Sequence, residues 1–376
     1  MAELRGRIRI PAGNYSCSTP IHVPHGVWIS GDGDATFITW TGSGAAVIAS
    51  ETDVPGEYVQ GILSDLHIRG TETAGQDGIY VGGDANCNQS CTANPASNIG
   101  YNYVFRNITI YNMGDNGIQY GNGAFNLLWD NVHANNNLRY GLYVPHTSTG
   151  GGQYNTWTHS QLSGNRLGGW FIDQSPFVTF EMFGVDVQYN VGNNGAPRNA
   201  EVTGGHVICV GCHFEHQQGA FFDLNGEDES HKGDDIQLVG GQIISIKRGI
   251  TDPYLVIAGG AARFSASGTY IIAFHNIDHM ISVTEPSVAS ISVFGTTVYS
   301  NGVHFGGVTT AQGQGIRYEE PIDTRTQAPN VTGPRYFGGT TSFDTIEAGN
   351  IRSENGFTGT CTTGIVVNKG IVTGCK

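Results

Sequence analysis

Gly117-Ile-Gln-Tyr120, Gly141-Leu-Tyr-Val144 and Gly169-Trp-Phe-Ile172 repeat one phrase, a glycine followed by a large apolar residue and a short strand-forming run. The glycines lie 24 and 28 residues apart, which is the period of a solenoid coil. The phrase recurs upstream as Gly78-Ile-Tyr-Val81 and downstream as Gly219-Ala-Phe-Phe222 and Gly302-Val-His-Phe305. Between its occurrences lie second short runs: Leu66-His-Ile68, Ile108-Thr-Ile110, Val132-His-Ala134, Val185-Asp-Val187 and Cys212-His-Phe214. The step from Gly78 to Gly117 is longer because it holds the loop Cys87-Asn-Gln-Ser-Cys91, and the step from Gly169 to Gly219 fits two coils. Strands this short, divided by Asn and Gly turns, pair best with their counterparts one coil later. Inward Ile, Val, Leu and Phe then stack in columns, and Asn and Gly take the positive φ of the corners. The pattern predicts an all-β chain, a single-stranded parallel β-helix. A helical solenoid is excluded because no long window has a 3.6-residue period, and a propeller needs longer blades.

Composition agrees. Of 376 residues 56 are Gly, 39% are apolar and 13% are charged, which is too apolar for a disordered chain and lacks the G-X-Y period of collagen. The formal charge of −14 disfavours nucleic acid as a partner. No apolar run is long enough to span a membrane, and Met1-Ala2-Glu3-Leu4-Arg5 lacks the core of a signal peptide. The seven cysteines leave at least one without an intrachain partner. Cys87 with Cys91, and Cys361 with Cys375, could bridge outside the cell. Cys209 and Cys212, three apart on one expected strand, should face opposite ways and are read as buried thiols rather than a zinc site. The array is expected to occupy residues 1–318, with 319–376 forming a linker and a C-terminal cap or oligomerisation segment.

Gly6-Arg-Ile-Arg-Ile-Pro-Ala-Gly-Asn-Tyr15, Pro20-Ile-His-Val-Pro24 and Trp28-Ile-Ser-Gly-Asp-Gly33 resemble the first coil of the pectate-lyase-like superfamily of right-handed β-helices. The tail, with Asn355-Gly-Phe-Thr-Gly359 and Val367-Asn-Lys-Gly-Ile-Val-Thr-Gly374, is similar to C-termini of bacteriophage tail proteins. These resemblances imply a polysaccharide partner, an extracellular or virion-associated setting and a homotrimer.

Alternation assigns the outward side chains. With Ile79, Ile118, Leu142, Trp170 and Ala220 inward, the first outward column reads Tyr80, Gln119, Tyr143, Phe171, Phe221, and the second ends in Asp173 and Asp223. Asn199-Ala-Glu-Val-Thr203 adds Glu201 and Thr203 to these columns. At about 4.8 Å per coil, Asp173 and Glu201 would stand about 5–7 Å apart, and Asp173 and Asp223 about 10 Å apart. Two carboxylates at such distances suit glycosidic hydrolysis, one protonating the leaving oxygen and the other activating water or attacking the sugar. Asp173, Glu201 and Asp223 are therefore the expected catalytic groups, and Gln119, Tyr143, Phe171, Phe221 and Arg166 the expected substrate contacts. The favoured activity is hydrolysis of a polysaccharide.

The alternative is a uronate lyase or C5-epimerase. Tyr140-Gly-Leu-Tyr-Val-Pro-His146, with Asp173 one coil later, resembles the Tyr-Gly-Phe-Asp-Pro-His region of mannuronan C5-epimerases. The resemblance implies that Tyr140 and His146 handle the proton at C5 while Asp173 helps hold the substrate. The family's Asp before Pro-His is absent: Val144 stands there, with one residue inserted. A third reading is a glycan-binding spike without catalysis. His133, His159 and His213 are read as structural or solvent-facing, and His206 has only a superficial likeness to the Gly-His-Gly of polygalacturonases. No cofactor or metal is expected. The one place for Ca²⁺ is the acidic loop from Glu227 to Asp235, which lacks the spacing of a dedicated site and is read as a solvated turn.

Overall fold

The structure, a computed structural model, is described for residues 6–50, 60–83, 100–121, 123–145, 154–172, 179–190, 200–216, 220–224, 234–245, 252–258, 262–273, 277–283, 290–294, 297–299, 308–310, 316–318, 322–323, 365–368 and 371–375. Among them every regular element is a strand, apart from a 3-10 turn at Gly33–Ala35. One sheet has 21 strands and a second has 11, and within both every pairing is parallel, each strand meeting its counterpart in the next coil. The chain is a right-handed parallel β-helix, the hand that crossovers between parallel strands adopt.

One coil shows the plan. Asn155–Thr158 and Gln161–Ser163 lie in the first sheet, and Gly168–Ile172 lies in the second. Between the two first-sheet strands the chain kinks at a residue with positive φ. In successive coils this position is Asp65, Asn107, Asn131, His159, Gly184, Gly211, Gly240 and Gly268, with φ from 51° to 65°. Asn and Asp tolerate this conformation and Gly enters it freely, which explains the Asn- and Gly-rich turns. Side chains add a ladder: Asn131 Nδ2 donates to Asn107 Oδ1 at 3.0 Å, and Asn107 Nδ2 donates to Asp65 Oδ1 at 2.8 Å.

The corner between the sheets is held from inside. Asn137, Asn165 and Asn190 are buried and stacked. Asn165 Oδ1 accepts from Asn137 N at 3.1 Å and from Asn137 Nδ2 at 2.8 Å, while Asn165 Nδ2 donates to Asn190 Oδ1 and to Ala134 O, each at 2.9 Å. The ladder satisfies corner amides that the winding would otherwise strand in the core.

Inward columns fill the interior. Leu63, Phe105, Trp129, Trp157, Met182, Cys209 and Leu238 stand in register, with ring centroids 4.1 Å apart for Phe105 and Trp129 and 5.0 Å for Trp129 and Trp157. Trp129 Nε1 donates to the buried Tyr120 hydroxyl at 2.7 Å, so the indole carries no unsatisfied donor into the core.

Two expectations are corrected. Cys209 and Cys212 form a disulfide. They do not share one strand: Gly211, with φ 65°, ends His206–Val210 before His213–His216 begins. The kink turns both sulfurs inward, where they are buried. The second correction concerns register. Phe222, not Ala220, occupies the inward column with Ile79, Ile118, Leu142, Trp170 and Val202, while Ala220 pairs with Ala200. The larger apolar side chain takes the core slot, so the Gly-Ala-Phe-Phe phrase sits two residues out of phase with the glycines before it.

Beyond Tyr318 the first sheet takes in Ile322–Asp323, paired with Thr297 and Val298. The rest of the segment read as a linker lies outside the described residues. Near the C-terminus Ile365–Asn368 and Ile371–Cys375 pair antiparallel. Cys87, Cys91 and Cys361 lie outside the described residues. No helix among the described residues is long and apolar enough to cross a membrane.

Candidate functional site

The outward column of the second sheet runs Tyr80, Gln119, Tyr143, Phe171, Thr203, Asp223. Gln119, Tyr143 and Phe171 are half-buried and present side chains to the outside at successive coils. Tyr140, at the head of the strand Tyr140–Val144, has the parity of an inward residue, yet its ring lies against both outward rings. Ring centroids are 5.8 Å apart for Tyr140 and Tyr143, 5.2 Å for Tyr140 and Phe171, and 5.7 Å for Tyr143 and Phe171. The Arg139 guanidinium caps this cluster, 5.3 Å from the Tyr143 ring and 6.0 Å from that of Tyr140. The exposed Arg166 follows one coil later, its backbone N–H donating to Asn137 O at 2.9 Å. Aromatic faces beside a guanidinium can cover the apolar face of a sugar ring and hydrogen-bond its oxygens.

Behind this cluster lies a buried acid. Asp77, Asn116 and Tyr140 occupy one position in three coils. Asp77 Oδ1 accepts from Asn116 N at 2.9 Å and Asn116 Nδ2 at 3.0 Å, and Asn116 Oδ1 accepts from Tyr140 N at 3.4 Å. Burial pushes the Asp77 carboxyl up to about 6, with Asp115 adding to the rise and the Asn116 bonds and Arg139 opposing it.

The residues expected to act divide into three groups. Tyr140, Tyr143, Phe171 and Gln119 come together as described, with Arg166 at their edge; Arg139 was overlooked. Asp173 and His146 lie outside the described residues, as does the Glu201 side chain. Asp223 and Phe221 are displaced by the register. Asp223 stands in the column of Phe171 and Thr203 rather than in the next one, and it is only 6% exposed. Phe221 is 1% exposed, so its ring belongs to the packed interior and not to a binding face. The Glu201 backbone lies beside that of Phe221, two residues before the Asp223 column. Of the three carboxylates expected to act together, only the Asp223 side chain can be placed, and it is not in the column expected for it. In the acidic loop, Asp234 is buried and its Oδ1 accepts from Gly205 N at 3.0 Å, a structural role. Among the described residues no group of three or more His, Cys, Asp and Glu is placed to hold a metal ion.

One constellation was missed. On the outward side of the first sheet, Gln161, Asp186 and His213 are neighbours in one column, and Ser163, Gln188 and Glu215 in the next. His213 lies between two carboxylates, with Nδ1 4.0 Å from Asp186 Oδ1 and Nε2 3.4 Å from Glu215 Oε2. Gln161 Nε2 donates to Asp186 Oδ2 at 3.0 Å, and the Tyr189 hydroxyl donates to Glu215 Oε1. That bond and the Glu215 charge hold the Tyr189 phenol above its ordinary range. A signal existed: Asp186 and His213 each stand two residues after a corner glycine, Gly184 and Gly211. Aligning coils on these glycines, instead of on the phrase that opens the second sheet, brings the two together.

No family model matches the chain, and no curated protein matches it. Solved structures do. The A-module of mannuronan C-5 epimerase AlgE6 from Azotobacter vinelandii is 16% identical with a TM-score of 0.51, over 85% of this chain and 92% of that one. Tailspike protein 2 from Escherichia coli O157:H7 bacteriophage CAB120 is 12% identical with a TM-score of 0.49, over 92% of this chain and 44% of that one. The catalytic unit of a GH87 α-1,3-glucanase from Streptomyces thermodiastaticus is 12% identical with a TM-score of 0.39, over 84% and 64%. At these identities the likeness is one of fold. The fold is a right-handed parallel β-helix.

Proposed function

We propose that this chain is a polysaccharide-active enzyme that holds a glycan along the outward face of its second sheet and cleaves glycosidic bonds with a carboxylate pair. The observation that carries the reading is the half-buried pair Tyr143 and Phe171, one coil apart and capped by Arg139. Such a platform repeats with the coil, as a polymer of rings repeats with its sugars. The fold likeness to the A-module of a mannuronan epimerase supports a glycan as the ligand class. An extracellular or virion-associated setting and a homotrimer go with this reading, and light scattering of the whole chain tests the assembly.

A second chemistry has one observation in its favour. Arg139 beside Tyr140 suits a sugar that carries a carboxylate. Tyr140, with His146 and Asp173, would then move the C5 proton of a uronate in elimination or epimerisation. Tyr140 is 6% exposed, so only a small part of it could meet substrate.

A polysaccharide panel, read by affinity electrophoresis and by products, tests both. Tyr143→Ala and Phe171→Ala should each weaken binding at least about tenfold. New reducing ends without unsaturated-uronate absorbance indicate hydrolysis, and that absorbance indicates elimination. Failure to bind any glycan, or binding unchanged in both variants, would overturn the proposal.

A further inference from the structure

One column of the first sheet changes character partway along the stack. On its outward side Arg9, Ser30, Ser64, Arg106, Asp130 and Thr158 stand in register, and the next three coils continue it with Phe183, Val210 and Val239. The polar half is paired within itself: Arg106 Nε lies 2.9 Å from Asp130 Oδ2, and Thr158 Oγ1 donates to Asp130 Oδ1 at 2.9 Å. Phe183, Val210 and Val239 are 41%, 36% and 46% exposed, and they follow one another at about 4.8 Å per coil. Exposed apolar side chains scattered singly are ordinary, but three stacked in successive coils mark a contact surface.

The kink beside this column changes at the same coil. Its residues are Asp65, Asn107, Asn131 and His159 in the polar half, and Gly184, Gly211, Gly240 and Gly268 after it. A Cβ added at any of these four glycines would meet nothing within 4 Å. The glycines therefore form a bare ledge beside the apolar ridge, and side chains of a neighbour can reach down to the backbone there.

We infer that the ridge of Phe183, Val210 and Val239, with its glycine ledge, is a self-association surface on which a second copy of this chain seats. This rests on the homotrimer of the reading above, to which it gives a contact face, and not on the cleavage chemistry. Charge selects the occupant. The chain carries −14, so two copies repel over most of their surfaces and approach best where charge is missing. A basic partner would gain by meeting the acidic surface and gains nothing from this ridge. The outward neighbours of the ridge on one side are Glu181, Ile208 and Gln237. On the other side, across the kink, Asp186 already lies 4.0 Å from the His213 ring. An apolar core with a polar rim is the anatomy of a protein interface. Spacing agrees as well: a second copy with its axis parallel repeats at the same rise, so ridge can meet ledge coil for coil. The contact uses the first sheet and leaves Tyr143 and Phe171, on the second, to the glycan.

The test is the mass of the whole chain by sedimentation equilibrium over a range of concentrations. The wild type should associate, with a mass that is a multiple of 40.0 kDa. Val210→Lys and Val239→Lys should each raise the dissociation constant at least about tenfold, because each buries an unpaired ammonium against a copy of itself. The fold should survive, since Arg106 already stands outward in the same column, and circular dichroism checks this. Should a lysine variant fold poorly, Val210→Thr and Val239→Thr, which repeat what Thr158 does in that column, should weaken association by a smaller factor. Added salt should tighten association, as it screens the net negative charge and leaves apolar contact intact. Association unchanged in folded lysine variants, or loosened by salt, would overturn this surface and leave the homotrimer to another face. Glycan binding lost in those variants at unchanged mass would give the ridge to the glycan and overturn it likewise. A wild type that is monomeric at every concentration would remove the homotrimer and this surface together.

Discussion

Asp77 shows how much a single residue contributes behind the aromatic face. Its carboxyl is buried under Asn116 and holds its proton up to about pH 6. The unfolded chain releases that proton near pH 4. The folded state therefore binds the extra proton between these values, and stability falls as pH rises from about 4 to about 6, then levels off. An asparagine can accept the same two bonds without a charge and, like the protonated acid, carries a donor on its other atom. Asp77→Asn is expected to raise the melting temperature at neutral pH by an amount equivalent to at most roughly 3 kcal/mol. The gain should shrink to nothing by about pH 4, as thermal melts across that range would show. A melt of Asp77→Asn that is lower at every pH would mean that the carboxylate is a net stabiliser. The surrounding composition is legible in sequence, but this shift is not. Nothing marks Asp77 in the sequence until Asn116, 39 positions later, is laid against it.

At the level of the element, the kink of the first sheet decides which side chains reach the outside. Its column passes from Asp and Asn through His159 to Gly in the later coils, always with positive φ. A β-branched residue there costs about 1–2 kcal/mol. A Cβ added at Gly184 meets nothing within 4 Å, so backbone strain is the whole effect. Gly184→Val should therefore lower stability by about that amount, whereas Gly184→Asn should come close to neutral, because Asn107 and Asn131 hold the same conformation. Denaturant midpoints of the two variants would separate strain from packing. The same kink accounts for the Cys209–Cys212 bridge, since simple alternation cannot place residues three apart on the same side. It also sets Asp186 and His213 in one column. Kinks were visible as Asn and Gly, but their effect on facing appears only when the two half-strands are seen joined.

For the whole molecule, stability is distributed along a stack in which each coil touches its neighbours only, as in other repeat arrays. The interior is not uniform. Phe105, Trp129 and Trp157 stack in three successive coils, all at 0% exposure, and later positions of that column are filled by Met182, Cys209, Leu238 and Ala266. Burying one large side chain is worth about 1.5–3 kcal/mol, so the coils that share the aromatic stack should open last. Hydrogen exchange is expected to be slowest in Tyr103–Tyr111, Leu127–Asn135 and Asn155–Thr158 and faster toward Gly6–Arg9. Uniform protection along the array would contradict a stack with a tight centre.

The sequence by itself determined the architecture, because that architecture depends on periodicity. Glycine phrases 24 and 28 residues apart, short β-branched runs and Asn-rich corners admit one economical packing, and each coil repeats the evidence. Tyr143 and Phe171 were legible for the same reason, since they lie in coils whose phrases are in phase, whereas Tyr140 was singled out by a family resemblance. Tertiary structure alone decided the columns of Phe221 and Asp223, where the strand slips by two residues to put Phe222 in the core slot. It alone joined Cys209 to Cys212, and it alone set Asp186, His213 and Glu215 side by side across two coils. The physical reason is common to all three. A corner of unknown length shifts the register of the strand that follows it: one residue turns every side chain to the other face, two carry it into the next column, and the repeat itself stays in plain view.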